Sequence, residues 1–425
     1  MNITIIAVGS RGDVQPYVAL GLGLQAAGHR IRIAACTNFE TFVRSRGLDF
    51  FSMEGNPREM LESDEGRAWL KSSRNPIRFI QGLTRMMQPF VERSLADSWA
   101  ACQGADAIIY SLLALAGYHI AEKLGLPSFA ALLQPLSRTR AFPNIAIPDK
   151  VRLGGTFNLL THIFAEQLFW QPFRQPINKW RQQTLGLPPA SFFAPYGRMN
   201  RQKYPFLYGY SPSVVPKPSD WRDWLHVTGY WFLDRPADWQ PPAALVDFLA
   251  AGPPPVYIGF GSTTESDPEA LTTMVLKALA TAGQRGVLLT GWAGLRNADL
   301  PEDVFELESV PHGWLFPQMA AVVHHGGAGT TATGLCAGVP SIVIPSQAEM
   351  YFWGQRVTDL GVGPQPIPRK QLSVERLAAA IMTAVSDKEM QRRAAALGEL
   401  IRAENGVARA VEAIHRHLSS IYSLP

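Results

Sequence analysis

Residues 324–331 carry the combination of residue types in this chain that best suits the binding of an anion. The run reads His-His-Gly-Gly-Ala-Gly-Thr-Thr, follows the apolar residues 319–323 and precedes the mostly small residues 332–337. The apolar run predicts a short buried strand, and the second run predicts the start of a helix. Backbone N–H groups at such a junction point at a ligand, and the helix dipole favours negative charge. A diphosphate is the expected ligand, with the Thr330 and Thr331 hydroxyls as further donors; a tight turn that requires small residues is the alternative.

Length and composition define the class of protein. A chain of 425 residues, 47% of them hydrophobic, is too long for one ordinary core and predicts two domains. The three cysteines show no zinc-site spacing and indicate a reducing compartment. The N-terminus leads directly into a predicted strand without a basic leader, and no apolar segment is long enough to span a bilayer. We therefore expect a soluble, cytoplasmic protein.

Charge is distributed unevenly along the chain. The net charge is +4, but basic residues outnumber acidic ones in residues 1–205 and acidic residues outnumber basic ones in the remainder. A basic N-terminal half suits an anionic acceptor or an anionic membrane surface; an uneven solvated surface is the alternative. Nucleic acid is not expected as a partner, because no basic run is interleaved with aromatic residues as in single-strand-binding proteins.

Strands and helices are predicted to alternate in both halves of the chain, which indicates parallel α/β sheets. In the N-terminal half, strands are predicted at 3–8, 30–35, 107–111 and 128–132, a loop at 9–16, and helices at 17–27 and 118–124. In the C-terminal half, strands are predicted at 256–260, 286–290, 304–307 and 341–344, and a helix at 268–282. Residues 55–100 and 150–205 fit the alternation poorly and predict helical insertions.

Two such domains in tandem predict a cleft between them. The proline-rich residues 211–242 predict the linker region. Ligands of open parallel sheets bind at the carboxyl ends of the strands, and three predicted loops, at 9–16, 259–264 and 324–331, lie at such ends. Three loops that face one cleft are typical of an enzyme with two substrates.

The chain resembles family-1 glycosyltransferases, in particular the microbial and fungal sterol glucosyltransferases and the glycopeptide-antibiotic glycosyltransferases. The resemblance rests on five segments: 9–16, 310–316, 324–331, 339–341 and 352–357. A Rossmann dehydrogenase is not expected, because no GxGxxG opens a helix with an acidic residue at the required distance.

This resemblance implies an α/β fold of the GT-B architecture, two facing Rossmann-like domains with a cleft between them. Residues 1–210 would bind the acceptor and residues 243–404 the nucleotide sugar. Residues 405–425 would cross back to the first domain as a helix.

Asp13 is the predicted general base. Sugar transfer with inversion requires a hydroxyl that is deprotonated as it attacks the anomeric carbon. By resemblance, Asp13 occupies the place of the base in the antibiotic enzymes, on a flexible loop whose unusual backbone Gly12 permits. Burial in the cleft would have to raise the pKa of this carboxylate. Ordinary Gly-Asp turn chemistry is the alternative.

The resemblance also implies a nucleoside diphosphate as the leaving group. The residues expected to hold the diphosphate are Ser262, Thr263, His325, Gly327, Gly329 and Thr330. Those expected to hold the nucleobase are Ser309, Val310 and His312, although His312 could instead cap a helix. Because the chain lacks the Asp-x-Asp pair of metal-dependent glycosyltransferases, we expect no metal. We expect no cofactor besides the sugar nucleotide as co-substrate.

Glu349 and Met350 are expected to bind the donor sugar. The family usually has Asp-Gln at these two places, so Glu349 keeps the carboxylate whereas Met350 loses an amide. Loss of one such contact changes the binding free energy by about 1–3 kcal/mol, which is enough to change donor preference. A donor sugar other than glucose therefore stays open.

The divergent insertions are expected to build a lipophilic acceptor pocket. Its candidate lining residues are Met86, Phe90, Leu112, Phe164, Phe169, Trp170 and Phe173; ordinary helix core is the alternative for each. The basic, aromatic residues 169–181 are also a candidate for peripheral contact with a membrane.

The resemblance thus predicts an inverting, metal-independent transfer of a hexose from a UDP-sugar to a hydroxyl of a lipophilic small molecule. Three alternatives stay open: a dTDP-deoxysugar transferase acting on an antibiotic aglycone, a nucleotide-sugar epimerase, and a catalytically silent nucleotide-sugar-binding partner protein.

Overall fold

In the computed structural model of the protein, the residues that are described are 1–54, 90–147, 151, 153–260, 268–290 and 300–422. They contain two parallel sheets, one from each half of the chain.

Seven parallel strands form the first sheet, in the order β3-β2-β1-β4-β5-β6-β7. The strands are β1 (Asn2–Ile6), β2 (Arg30–Cys36), β3 (Asp49–Met53), β4 (Ala107–Tyr110), β5 (Ser128–Leu132), β6 (Phe206–Tyr208) and β7 (Leu225–Val227). Side chains alternate across the sheet, so Ile3 and Ile5 of β1 lie in one hydrophobic core and Ile6 lies in another on the opposite face. Burial on both faces explains the nearly continuous apolar sequences of the central strands.

Helices cover this first sheet. They are α1 (Arg11–Ala26), α2 (Glu40–Arg44), α3 (Ala116–Leu124), α4 (Gly155–Trp180) and α5 (Tyr196–Arg201); residues 90–101 are also helical. The long α4 lies within the second of the two predicted helical insertions.

Five parallel strands form the second sheet, in the order β10-β9-β8-β11-β12. The strands are β8 (Val256–Gly259), β9 (Gly286–Leu289), β10 (Val304–Leu307), β11 (Ala321–His324) and β12 (Ser341–Val343). The helices of this half are α6 (Ala243–Ala250), α7 (Pro268–Ala282), α8 (His312–Leu315), α9 (Ala328–Ala337), α10 (Ala348–Asp359), α11 (Val374–Ser386) and α12 (Lys388–Ala403).

The helix after β1 begins earlier than predicted. α1 starts at Arg11 and contains Pro16, so most of the predicted loop 9–16 is helical and that prediction was wrong. Ser10 and Asp13 explain the difference, because a serine before the first turn and an acidic residue three positions later satisfy free N–H groups of a helix start. Asp13 therefore lies in the first turn of a helix and not on a flexible loop.

The first sheet extends beyond residue 210. β7 lies inside the segment 211–242 that the prolines had marked as a linker region, and it pairs in parallel with β6. Short edge strands of this kind carry little hydrophobic signal, so β7 could not be predicted separately from the proline-rich segment around it.

The C-terminal helix α13 (Gly406–Tyr422) packs against α1. Ala410, Ala413, Ile414 and Leu418 are buried in the core that contains β1. The end of the chain is thus part of the N-terminal half of the fold.

Candidate functional site

The N-terminal turn of α1 holds the Asp13 carboxylate in one orientation. The Ser10 backbone N–H and the Ser10 hydroxyl both donate to Asp13 Oδ2, at 2.7 and 2.9 Å. Gly9 makes this possible: its φ is +141°, and a Cβ there would lie 2.5 Å from Asp13 Oδ2. The residue with the unusual backbone is therefore Gly9, because Gly12 lies in the helix.

Burial raises the pKa of Asp13 above its ordinary value, whereas the two hydrogen bonds from Ser10 lower it. Because burial is the larger effect, the pKa moves toward neutral pH, as a general base for a hydroxyl requires. Only Oδ2 accepts from Ser10, which leaves Oδ1 without a hydrogen-bond partner among the described residues.

The histidine–glycine turn follows β11 at its carboxyl end. Gly326 has φ +93°, and a Cβ there would lie 2.7 Å from Val343 Cγ1 and 3.0 Å from the Met350 carbonyl oxygen. The Gly326 N–H donates to His324 Nδ1 at 3.1 Å. Gly327 then caps α9, and a Cβ on it would lie 2.5 Å from His325 Nε2. The turn therefore requires glycine at both positions, and Gly326, absent from the predicted set, is the one that needs a positive φ.

The first turn of α9 presents different groups from those expected. The Thr331 side chain is buried and its hydroxyl donates to the Gly327 carbonyl at 2.9 Å, so it is not a donor for a ligand. The Thr330 hydroxyl makes no hydrogen bond within the described part of the chain, and Gly329 is exposed with open space beside its Cα. His325, Gly327, Gly329 and Thr330 are thus brought together at one helix N-terminus. Ser262 and Thr263 lie outside the described residues.

The histidines of this region are held neutral. Burial lowers the pKa of His325 to about 4 and that of His324 to about 3. His325 Nδ1 is buried without a hydrogen-bond partner. A neutral His325 can donate one hydrogen bond to an anion but adds no charge, so the positive potential at this turn comes from the start of α9 and, across the cleft, from the Arg11 guanidinium.

Buried neutral histidines predict a loss of stability in acid. His119 and His324 are both 0% exposed, and burial lowers the pKa of each from 6.5 to about 3. Below about pH 6.5 the unfolded chain therefore takes up protons that the folded chain does not, and each histidine lowers the free energy of unfolding by about 1.4 kcal/mol per pH unit. Urea unfolding at pH 7.5, 6 and 5 checks this. The variant His119→Asn, whose side-chain oxygen can still accept from Arg181, should show a smaller loss; equal slopes in both proteins would contradict the prediction.

Two of the predicted nucleobase residues, Ser309 and Val310, lie between β10 and α8, and His312 is the first residue of α8. The three side chains have different surroundings. Ser309 is exposed and Val310 is buried in the core of the second half. The His312 ring stacks on Phe316 at 4.5 Å between centroids, and its Nε2 lies 3.1 Å from the Tyr257 hydroxyl. His312 is therefore already packed on one side by protein.

Glu349 lies in the first turn of α10 and is hydrogen-bonded to a residue of the N-terminal half of the chain. Gln134 donates its amide N–H to Glu349 Oε1 at 2.9 Å, and Trp353 Nε1 lies 3.4 Å from the same atom. Gln134 follows β5, at the carboxyl end of the first sheet. It was not predicted as a site residue, because no local pattern connects two residues 215 positions apart. Beside Glu349, the Met350 sulfur accepts from the Ser346 hydroxyl at 3.4 Å.

These groups meet in one cleft between the two halves. Burial raises the pKa of Glu349, and the nearby charge of Asp13 raises it further. Arg11 is close enough to lower the pKa of His312. Helices α1 and α9 also contact each other. Two buried carboxylates, Asp13 and Glu349, and the N-terminus of α9 therefore lie in one cleft.

The predicted acceptor residues are distributed over several environments. Trp170 is 0% exposed in the core, and Phe164 is 66% exposed at the surface. Four of the remaining residues are half-buried: Phe90, Leu112, Phe169 and Phe173. Met86 lies outside the described residues. Their role in acceptor binding stays a prediction.

Sequence comparisons relate the chain to known glycosyltransferases. Residues 3–143 match the N-terminal domain of glycosyltransferase family 28, and residues 287–413 match the C-terminal domain typified by erythromycin biosynthesis protein CIII. The sterol 3-beta-glucosyltransferase of Emericella nidulans is 43% identical over 98% of this chain. The chain is thus similar to glycosyltransferases along essentially its whole length. The sterol 3-beta-glucosyltransferase of Cryptococcus neoformans is 40% identical over 100% of this chain. The chain spans only 30% and 28% of the lengths of these two relatives.

Solved glycosyltransferase structures share the fold. The glycotransferase of kitacinnamycin superposes with a TM-score of 0.72 at 22% identity, covering 98% of this chain and 99% of that one. The calicheamicin glycosyltransferase gives 0.68 at 18% identity and covers 98% of both chains. These likenesses confirm the predicted GT-B architecture.

Two further findings concern the described residues alone. Among them, no three side chains of His, Cys, Asp or Glu lie close enough to hold a metal ion. None of their helices is both long and apolar enough to cross a membrane.

Proposed function

We propose that the protein is an inverting glycosyltransferase that moves a hexose from a UDP-sugar to a hydroxyl of a lipophilic small molecule, without a metal ion. The observation that carries the proposal is the Asp13 carboxylate, which is buried, oriented by Ser10 and close enough to influence Glu349. A general base beside a sugar-binding carboxylate and an anion site is the arrangement that a single displacement at the anomeric carbon requires.

Each part of the cleft has one task in this reaction. Asp13 takes the proton of the acceptor hydroxyl as that oxygen bonds to the anomeric carbon. The bond from this carbon to the diphosphate breaks, and the diphosphate leaves with the electron pair. The N–H groups and dipole at the start of α9 stabilise the departing negative charge. Because this helix start supplies the positive potential, the reaction needs no metal.

The acceptor proposed first is the hydroxyl of a sterol. The fungal relatives are named as sterol 3-beta-glucosyltransferases and match essentially the whole of this chain. Half-buried apolar side chains such as Leu112, Phe169 and Phe173 suit the rigid hydrocarbon of such a molecule.

A dTDP-deoxysugar is the second candidate donor, and Met350 is the observation that favours it. A thioether is a weak hydrogen-bond acceptor. A sugar that lacks the hydroxyl facing Met350 therefore loses little binding free energy at this position. A nucleotide-sugar epimerase and a silent binding partner are the remaining alternatives, and the buried, oriented Asp13 argues against both.

The experiment that tests the proposal is a nucleotide-release assay on purified protein. UDP- and dTDP-sugars are paired with sterol, phenol and macrolide acceptors, each with and without EDTA. Release that requires both an acceptor and a donor and persists in EDTA supports a metal-independent transferase and identifies the donor. Loss of release in EDTA, restored by a divalent cation, would contradict metal independence. Binding of UDP without release in any pair would favour the silent partner.

Glu349→Gln is expected to raise KM for the donor about 10- to 100-fold, because a charged hydrogen-bond acceptor contributes about 1.5–3 kcal/mol. Affinity for free UDP should stay unchanged, since the carboxylate binds the sugar. Gln134→Ala should raise KM less, because it releases Glu349 without removing it. Steady-state kinetics with UDP titrations measure both. The matched control is Gln355→Ala on the same helix, whose amide donates to Asp359 Oδ1. A Glu349 variant that behaves like this control would overturn the assignment.

A further inference from the structure

Helix α4 carries an apolar face that none of the described residues covers. Leu160, Phe164 and Leu168 are 56%, 66% and 55% exposed. Their spacing of four residues places them on one side of the helix. Phe192 and Phe193, from the segment after α4, are 50% and 59% exposed and pack edge to face with each other. Monomeric proteins rarely expose large apolar side chains in such a group unless the surface has a partner.

A basic groove of about 560 Å³ lies at the C-terminal part of the same helix. Its lining includes Arg174, Lys179, Gln182 and Gln183, and no lining residue is acidic. Neither Arg174 nor Lys179 forms an ion pair with any residue that the structure describes. Two unpaired cations among amide groups suit a phosphate-bearing anion.

Direct contacts join the groove to the aromatic residues that follow α4. The Gln171 amide donates to the Phe192 carbonyl at 3.1 Å, and the Arg174 guanidinium lies 5.2 Å from the centre of the Phe192 ring. The Asn178 side-chain N–H donates to the Ala190 carbonyl, and the Asn178 side-chain oxygen accepts from the Ala190 N–H. The aromatic residues after α4 are therefore held beside the cations of the helix.

We propose that this surface, formed by α4 and residues 189–193, docks on a bilayer that contains anionic phospholipids. The exposed apolar side chains enter the boundary between headgroups and acyl chains, and Arg174 and Lys179 bind lipid phosphates. Apolar side chains beside cations match a bilayer that offers an acyl-chain boundary and phosphates at neighbouring depths, which is why a lipid surface is the proposed occupant. The proposal goes beyond the transfer reaction and does not depend on it.

The docking surface overlaps only in part with residues 169–181, the stretch that the sequence suggested for membrane contact. Within residues 169–181, Trp170, Trp180 and Arg181 are 0%, 9% and 2% exposed, so these three side chains cannot reach a bilayer. Arg181 instead bonds to Glu122 at 2.7 Å. The docking surface therefore uses Arg174 and Lys179 from between these buried residues, together with apolar side chains of α4 that precede the stretch.

Vesicle sedimentation with purified protein, in the absence of donor and acceptor, tests the proposal. Vesicles of phosphatidylcholine alone are compared with vesicles containing phosphatidylglycerol at low and high salt. We expect binding to the anionic vesicles that weakens with salt. Leu160→Ser/Leu168→Ser should weaken that binding about 10-fold or more, and Arg174→Gln/Lys179→Gln should remove the preference for anionic lipid.

The matched control is Leu400→Ser, which removes a leucine that is 58% exposed in the other half of the chain and should bind vesicles as the wild type does. Circular dichroism verifies that each variant is folded. Absence of vesicle binding, equal binding to neutral vesicles, or double variants that bind like the wild type would each overturn the proposal. A dimer in solution that Leu160→Ser/Leu168→Ser dissociates would instead assign the face to a second copy of the chain. None of these outcomes depends on turnover, so they leave the proposed function untouched.

Discussion

Asp13→Asn is expected to lower the rate of sugar transfer by about 10²- to 10⁴-fold, the usual contribution of a general base. Asparagine keeps the shape of the side chain, and its oxygen can still accept from the Ser10 N–H, so the start of α1 stays capped. The amide cannot take the acceptor proton. Turnover should therefore fall while affinity for UDP stays within about twofold, and a nucleotide-release assay combined with UDP titration measures the two separately.

Two variants make this prediction specific. Asp49→Asn removes a surface carboxylate that pairs with Arg32 in the same half of the chain, and it should leave turnover unchanged. Ser10→Ala removes one of the hydrogen bonds that lower the pKa of Asp13. The pKa should therefore rise, and the acidic limb of the pH–rate profile should move to higher pH. Near-normal turnover in Asp13→Asn would show that another group is the base.

Gly326→Ala is expected to weaken nucleotide binding about 10- to 100-fold, because a side chain at this φ of +93° adds about 1–3 kcal/mol of backbone strain. Its Cβ would also lie 2.7 Å from Val343 Cγ1 and 3.0 Å from the Met350 carbonyl oxygen. The backbone carbonyl cannot move without α10, so the turn must shift away from the start of α9. UDP affinity by calorimetry measures the effect.

Gly283→Ala is the matched control for this prediction. Gly283 has φ +61° with open space around it and lies at the amino end of β9, away from the cleft. The control should lose stability through the same kind of strain and keep its affinity for UDP. If both variants bind UDP equally well, the histidine–glycine turn does not form the diphosphate site.

The local pattern of the sequence was sufficient to predict the parallel α/β fold class and several of its elements. Strand β10 and helix α7 were predicted with the bounds that the structure has, because hydrophobic periodicity and turn residues act over a few neighbouring positions. The turn at 324–331 was predicted for the same reason, since glycines, strand and helix start are contiguous. Asp13 was also found locally, although the capping signal that places it on a helix was missed.

Tertiary structure alone decided how the site is completed. The hydrogen bond between Gln134 and Glu349, and the effect of Asp13 on the pKa of Glu349, join residues from different sheets. Burial also separates side chains that look alike in sequence: Trp170 is in the core whereas Phe164, on the same helix, faces solvent. Periodicity shows which residues share a helix face but not what packs against it. That depends on contacts between segments far apart in the chain, which no short stretch of sequence contains.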